Sequence, residues 1–192
     1  MVQLFGFRAY MFESGLDRIR DSFRASITTM QNHSRDANDL LLDYINSGVD
    51  DSEYDDEGAL IKSTRHELQH AALETTLALS VVQEAFITSA FHYWERSARA
   101  WTGLHKPTFE ALTKEVRKAD ISVSDELSAV NTLNNLIKHN NPDRALDLVK
   151  TWPDVFITLP YSTLRRELTW RLGINNATVE RVFSIVKASG PV

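Results

Sequence analysis

The chain has 192 residues, a formal net charge of −5 and no cysteine. Its length suits one domain with a real core, and the missing thiols exclude disulfides, a cysteine nucleophile and any cysteine-ligated zinc or iron–sulfur centre. The acidic balance argues against broad electrostatic capture of nucleic acid but leaves room for a small, focused phosphate site.

At the N-terminus, MVQLFGFRAYMFESG lacks a basic region followed by a long apolar stretch, so no leader is expected. Phe12, Leu16, Ile19, Phe23 and Ile27 recur at spacings of four and three, one face of an amphipathic helix. A second, short helix is expected over Ala37 to Ile45, broken by Asn46, Ser47 and Gly48. From Asp36 to Glu57 there are nine acids and no Lys or Arg, and Asp50 to Gly58 reads as a solvated loop.

Ala59 to Trp101 contains neither Pro nor Gly, and Leu68, Ala72, Thr75, Leu79, Val82, Phe86, Ala90, Tyr93 and Trp101 trace a helical stripe. The spacing predicts a long central helix of about 60 Å, either unbroken or bent near Ile87-Thr88-Ser89. Gly103 ends it, and Pro107 opens another helix to Ala119. A helix starting at Ser122 or Ser124 and reaching Asn140 follows, and then a short one from Pro142 to Lys150 capped by Asn141. Val155-Phe156-Ile157 is strand-like but too short to define a sheet. Helices over Ser162 to Leu172 and Ala177 to Ala188, the second capped by Asn176, complete the pattern. The expected fold class is all-α: a single domain over 1–192, a bundle of about seven helices, with a C-terminal helical hairpin over 161–192.

Three segments carry possible chemistry. His66-Glu67-Leu68-Gln69-His70 matches H-E-x-x-H, which on a helix sets two imidazoles on one face with Glu67 as a possible base for a zinc-bound water. Glu74 on the same face is too far along one straight helix to complete a coordination sphere. The expectation is therefore a solvated face with no metal and no cofactor; a zinc hydrolase is the lesser alternative. Near the end of the long helix, His92, Glu95, Arg96 and Arg99 lie within two turns of one another and form a polar seam, beside the aromatics Phe91, Tyr93, Trp94 and Trp101.

The third segment is the most informative. Leu127, Val130, Leu133 and Ile137 form an apolar stripe, and Asn131, Asn135 and His139 line another face at intervals of four. Asn is a poor helix former, so this run sacrifices propensity. His139 and Lys138 end the helix, where the dipole favours positive charge, and Arg144 follows just past the turn. Such a face has the composition to hold a phosphodiester.

Leu133-Asn134-Asn135-Leu136-Ile137-Lys138-His139-Asn140 resembles the late-helix motif of the HEPN superfamily, and the order of helices is similar over 59–150. The resemblance implies a small helical bundle, often a homodimer. Many members are metal-independent endoribonucleases of toxin–antitoxin, abortive-infection and other antiviral defence systems; others are inactive relatives. Asn135 and His139 match the polar position and the histidine, while Asn134 stands where the family has Arg. Lys138, Arg144, Arg96 or a residue of a second subunit would then have to supply the missing charge.

On this resemblance His139 would act as general acid or base around an RNA 2′-hydroxyl, with Asn135 and Asn131 orienting substrate or imidazole. Lys138 and Arg144 would steady the charged transition state. The expected partners are a second copy of the chain, RNA, and an antitoxin or other protein, with no membrane; the cytoplasm is the expected location. The alternative in a different class is a non-catalytic interaction module that kept the architecture and lost the Arg. A helix-turn-helix formed by Leu164 to Leu168, Gly173 and Thr178 to Val182 is a further, weaker reading.

Overall fold

The computed structural model describes residues 2–162 and 168–192, with side chains described for 6–160 and 169–192. The chain divides into two compact units, Met1–Ser22 with Gln83–Val192, and Phe23–Val82, where length alone suggested one. The described residues are mostly helical, with six α-helices, but they also form two small antiparallel sheets, so the all-α expectation holds only in its coarser form.

Helix α1 spans Val2–Ser47 and supplies residues to both units. It replaces the two helices expected around 12–27 and 37–45. Residues 28–36 contain neither Pro nor Gly, and Thr28 and Thr29 donate their hydroxyls to the carbonyls of Arg24 and Ala25, so nothing breaks the helix. It stops at Gly48, whose φ of +66° suits the left-handed position after a helix.

In the unit Phe23–Val82, β1 (Glu53–Tyr54) pairs antiparallel with β2 (Leu60–Lys62), where a loop was expected. Asp55 makes the turn, its Oδ1 accepting from the amides of Glu57 at 3.0 Å and Ala59 at 2.7 Å. Gly58, at φ +81°, closes it. Helix α2 then runs over Thr64–Thr102, also contributing to both units. Its start is tied by Asp51, which accepts hydrogen bonds from the hydroxyls of Thr64 and Tyr44. These two hydroxyls, Thr64 first, hold the Asp51 carboxyl below its ordinary range.

The larger unit holds the main core. Helices α3 (Phe109–Lys118), α4 (Leu127–His139), α5 (Pro142–Thr151) and α6 (Asn176–Lys187) belong to it. Trp94, Leu112, Val116, Leu127, Leu133, Leu136, Leu148, Trp152 and Phe183 are essentially fully buried. Each such aliphatic or aromatic side chain contributes about 1.5–3 kcal/mol through loss of apolar surface. Trp94 Nε1 also donates to the Ser189 carbonyl at 2.6 Å, so its one polar atom is satisfied in the core. Helix α4 begins later than expected because residues 122–126 are held otherwise: the Ser124 amide donates to Ser189 Oγ at 3.1 Å.

After a short 3-10 turn at Pro153–Val155, β3 (Phe156–Ser162) pairs antiparallel with β4 (Leu168–Leu172). This corrects the expected helix over 162–172 where it is described, at Ser162 and Leu168–Leu172, and with it the C-terminal helical hairpin over 161–192. The four-residue spacing of Leu164, Leu168 and Leu172 mimics a helix. The β-branched and aromatic residues of Phe156-Ile157-Thr158 and Thr169-Trp170 favour a ladder once each strand has a partner. Pro160 is tolerated because a two-stranded sheet has only edges. Residues 163–167, most of the first helix of the helix-turn-helix reading, lie outside the described residues; Leu168–Leu172 is strand. Helix α6 is capped by Asn175, one residue earlier than expected, through its side-chain oxygen and the Thr178 amide.

Candidate functional site

Helix α4 presents its faces much as its sequence spacing suggests. Leu127, Val130, Leu133 and Leu136 are buried, and Ile137 is partly so. Asn131 and Asn135 sit at the margin of this stripe, half-buried, and Asn135 Nδ2 donates to Asn131 Oδ1 at 3.2 Å. The two amides thus support each other across one helical turn, which offsets part of the propensity cost of placing Asn there.

Lys138 and His139 occupy the last turn and are exposed. Asn140 then adopts φ +47° and its amide donates to the Leu136 carbonyl at 2.9 Å, ending the helix. Asn141 caps α5 by accepting from the amides of Asp143 at 2.9 Å and Arg144 at 3.4 Å. Arg144 therefore lies in the first turn of α5, exposed. Among the described residues no hydrogen bond or ion pair joins the side chains of His139, Lys138 and Arg144 to one another. The structure brings together Asn131 and Asn135, and leaves His139, Lys138 and Arg144 exposed around one helix–helix turn.

Asn134 is 1% exposed, and its Oδ1 has no hydrogen-bond donor. It belongs to the core face of α4 and not to the face that carries His139. A buried amide without its full complement of hydrogen bonds is uncommon and costly.

Arg96, another candidate for the missing charge, lies on α2 with its guanidinium 5.6 Å from the centroid of the Tyr93 ring. Its neighbours His92, Glu95 and Arg99 do form the expected seam. Glu95 Oε1 accepts from Arg99 Nη2 at 2.6 Å, and Glu95 Oε2 lies 3.1 Å from His92 Nδ1.

In the unit Phe23–Val82, His66, Glu67 and His70 are exposed along α2, and His70 Nδ1 lies 3.5 Å from Glu74 Oε1. Among the described residues no cluster of three or more His, Asp or Glu is placed to hold a metal ion. His66 also lines a cavity of about 610 Å³ with Tyr44, Asp50, Tyr54 and Arg65.

One cluster of the larger unit is not legible from spacing. Arg181 of α6 donates from Nη2 to Glu126 Oε1 at 2.6 Å and from Nη1 to Asp154 Oδ2 at 3.4 Å, and its guanidinium lies 4.2 Å from the Trp152 ring centroid. The hydrogen bond from Arg181 holds the Glu126 carboxyl below its ordinary range. Arg181 lies 27 to 55 positions from these partners in sequence, so only an isolated Arg on a helix was available as a signal.

Among the described residues no helix is long and apolar enough to cross a membrane. No protein-family model, curated protein or solved structure matches the chain.

Proposed function

We propose that this chain is a HEPN-like helical module that acts by binding another macromolecule and not by cutting RNA. The observation that carries this reading is the burial of Asn134. In the family motif that position supplies the cation that grips the scissile phosphate; here it holds a neutral amide enclosed in the core face of α4. Loss of such a clamp typically removes a hundredfold or more of rate. The overall acidity of the chain weakens RNA capture further.

The partner favoured by this reading is a second copy of the chain. Leu73, Leu77 and Val81 recur every four residues on α2 and are 57%, 56% and 63% exposed. A contiguous apolar stripe of this kind is characteristic of a helix face that is covered in the functional state. Light scattering is expected to give a species of about twice the 21.8 kDa chain, reverting to the monomer in Leu77→Asp. A monomer for the unsubstituted chain at micromolar concentration removes the homodimer.

The nuclease reading is favoured by a different observation, the exposure of His139, Lys138 and Arg144 around the α4–α5 turn beside the paired Asn131 and Asn135. Incubation of labelled RNA in EDTA with the unsubstituted protein and with His139→Ala separates the two. No cleavage, or equal trace cleavage by both proteins, is the expected outcome. Cleavage to 2′,3′-cyclic phosphate ends that disappears in His139→Ala would establish a metal-independent endoribonuclease, of the kind found in toxin and phage-defence systems, and end the binding-only reading.

A further inference from the structure

The unit Phe23–Val82 has almost no core of its own. Phe23, Ile27 and Ala72 are its buried apolar residues, whereas Leu40, Leu42, Leu73, Leu77 and Val81 are exposed. In α2 the apolar character lies on two opposite sides. Leu68, Ala72, Leu79 and Val82 form a covered side, buried or half-buried. At about 100° per residue Leu77 points about 160° away from Leu79, so the exposed stripe of Leu73, Leu77 and Val81 looks away from that side. A helix that is apolar on two sides takes neighbours on two sides, and the described residues cover one of them.

The stripe is suited to a copy of itself. Its four-residue recurrence is a ridge that packs into the matching groove of another helix, and a two-fold interface asks for the same patch on both copies. Between Leu68 and Val82 the one Asp, Glu, Lys or Arg is Glu74. Nothing on this segment therefore calls for a partner of opposite charge.

The charge of the unit sets the direction of packing. Asp36 to Glu57 hold nine acids and no Lys or Arg. The hydroxyls of Tyr44 on α1 and Thr64 on α2 both donate to Asp51, which ties the two helices together where the chain turns back. Counting equal rise from that tie, Leu73 is level with about Arg35, so the acids lie on the tip side of the stripe. Two copies packed in the same direction would bring both acidic tips to one end, with nothing to offset them. Packed in opposite directions, the tips go to opposite ends. Thr64 is about 20 Å along α2 from Leu77, so the two starts of α2 then stand about 40 Å apart. That is several Debye lengths at physiological salt. Resting on the second copy as the partner, we infer that two α2 helices pack in opposite directions, with Leu77 of each at the two-fold axis and Leu73 of one copy beside Val81 of the other.

The chain has no cysteine, so a single label site can be introduced. Arg65→Cys, at an exposed position in the first turn of α2, is spin-labelled. The distance between the labels of the two copies is measured by double electron–electron resonance, with light scattering on the same sample. A dimer with labels about 35–40 Å apart is expected. Adding Leu77→Asp is expected to remove that distance and return the 21.8 kDa monomer with an unchanged far-UV spectrum. Adding Leu159→Asp, at an exposed position of β3, is expected to leave the dimer and the distance unchanged. A dimer with labels closer than about 25 Å, the span of helices packed in the same direction, overturns the assigned direction while the second copy stands as the partner. A dimer that survives Leu77→Asp puts the interface elsewhere and also overturns the assignment. A monomer for the labelled chain removes both the direction and the choice of partner. Should Leu77→Asp lose helix, the label distance in Arg65→Cys decides the matter.

Discussion

Gly15 of α1 lies directly beneath Tyr93 of α2: a Cβ built on Gly15 would stand 2.0 Å from the phenolic oxygen and 2.6 Å from the carbon that bears it. The close approach is what lets the Tyr93 hydroxyl reach the carbonyls of Met11 and Phe12, at 3.1 and 3.2 Å. Replacing a helical Gly by Ala ordinarily stabilises by up to about 1 kcal/mol. Here Gly15→Ala is expected to destabilise by about 1–3 kcal/mol, because the ring must leave its stacked position on Phe12. Thermal unfolding checks the sign, and a higher midpoint for Gly15→Ala would contradict the packing described. Adding Tyr93→Phe is expected to recover part of the loss, since the clashing oxygen is gone.

Asn134 makes a second expectation. Its Oδ1 is buried without a donor, so Asn134→Leu, of similar shape, is expected to raise stability by about 1–3 kcal/mol. Asn134→Arg supplies the residue of the HEPN motif that this segment resembles, but places a charge in the core face of α4. It is expected to lower the unfolding midpoint and to confer no RNA cleavage. Denaturant titrations and the RNA assay read the two effects separately; a stable, cleaving Asn134→Arg protein would show that this side chain reaches the surface.

The Arg181 cluster predicts a pH dependence. Glu126 has a depressed carboxyl pKa in the folded protein, so its stabilising contribution is present above the ordinary Glu value near pH 4.3 and is lost as pH falls through the lower folded value. Both partners are largely exposed, which limits the ion pair to about 0–1 kcal/mol, and the contact with Trp152 adds about 0.5–1 kcal/mol. Arg181→Ala is expected to lower the midpoint at pH 7, and the difference is expected to shrink, without vanishing, below about pH 4. A difference that grows on acidification would contradict a depressed carboxyl pKa at Glu126.

Glu84 behaves oppositely. Partial burial raises its carboxyl pKa, since desolvation penalises the charged form. A group raised on folding favours the folded state below its unfolded pKa and opposes it as pH rises through the folded value. Glu84→Gln is therefore expected to raise the midpoint at pH 7 and to make no difference below about pH 4. Parallel melts across that interval check it, and a lower midpoint for Glu84→Gln at neutral pH would reveal a stabilising partner for the charge.

Local rules made the helices of the larger unit legible. Asn141 and Pro142 mark the start of α5, Gly103 the end of α2, and the Leu127–Leu133 spacing the buried side of α4; each is decided by bonds within a turn or two. Strands β3 and β4 escaped that logic because pairing supplies their stabilisation: Phe156 faces Leu172 across a ladder whose partners are 6 to 16 residues apart, beyond the reach of one helical turn, while Leu168 and Leu172 alone imitate a helical repeat. The same division holds for the candidate sites. Sequence placed Asn131, Asn135 and His139 on one strip of α4 and gathered His92, Glu95, Arg96 and Arg99 on α2, because side chains three or four apart on a helix must be neighbours. It carried no information on depth. That Asn134 is enclosed while His139 is solvated, that Arg99 Nε is buried without an acceptor, and that Arg181 finds Glu126 and Trp152 were decided only when the helices packed, since burial and long-range charge pairing are properties of the assembled core.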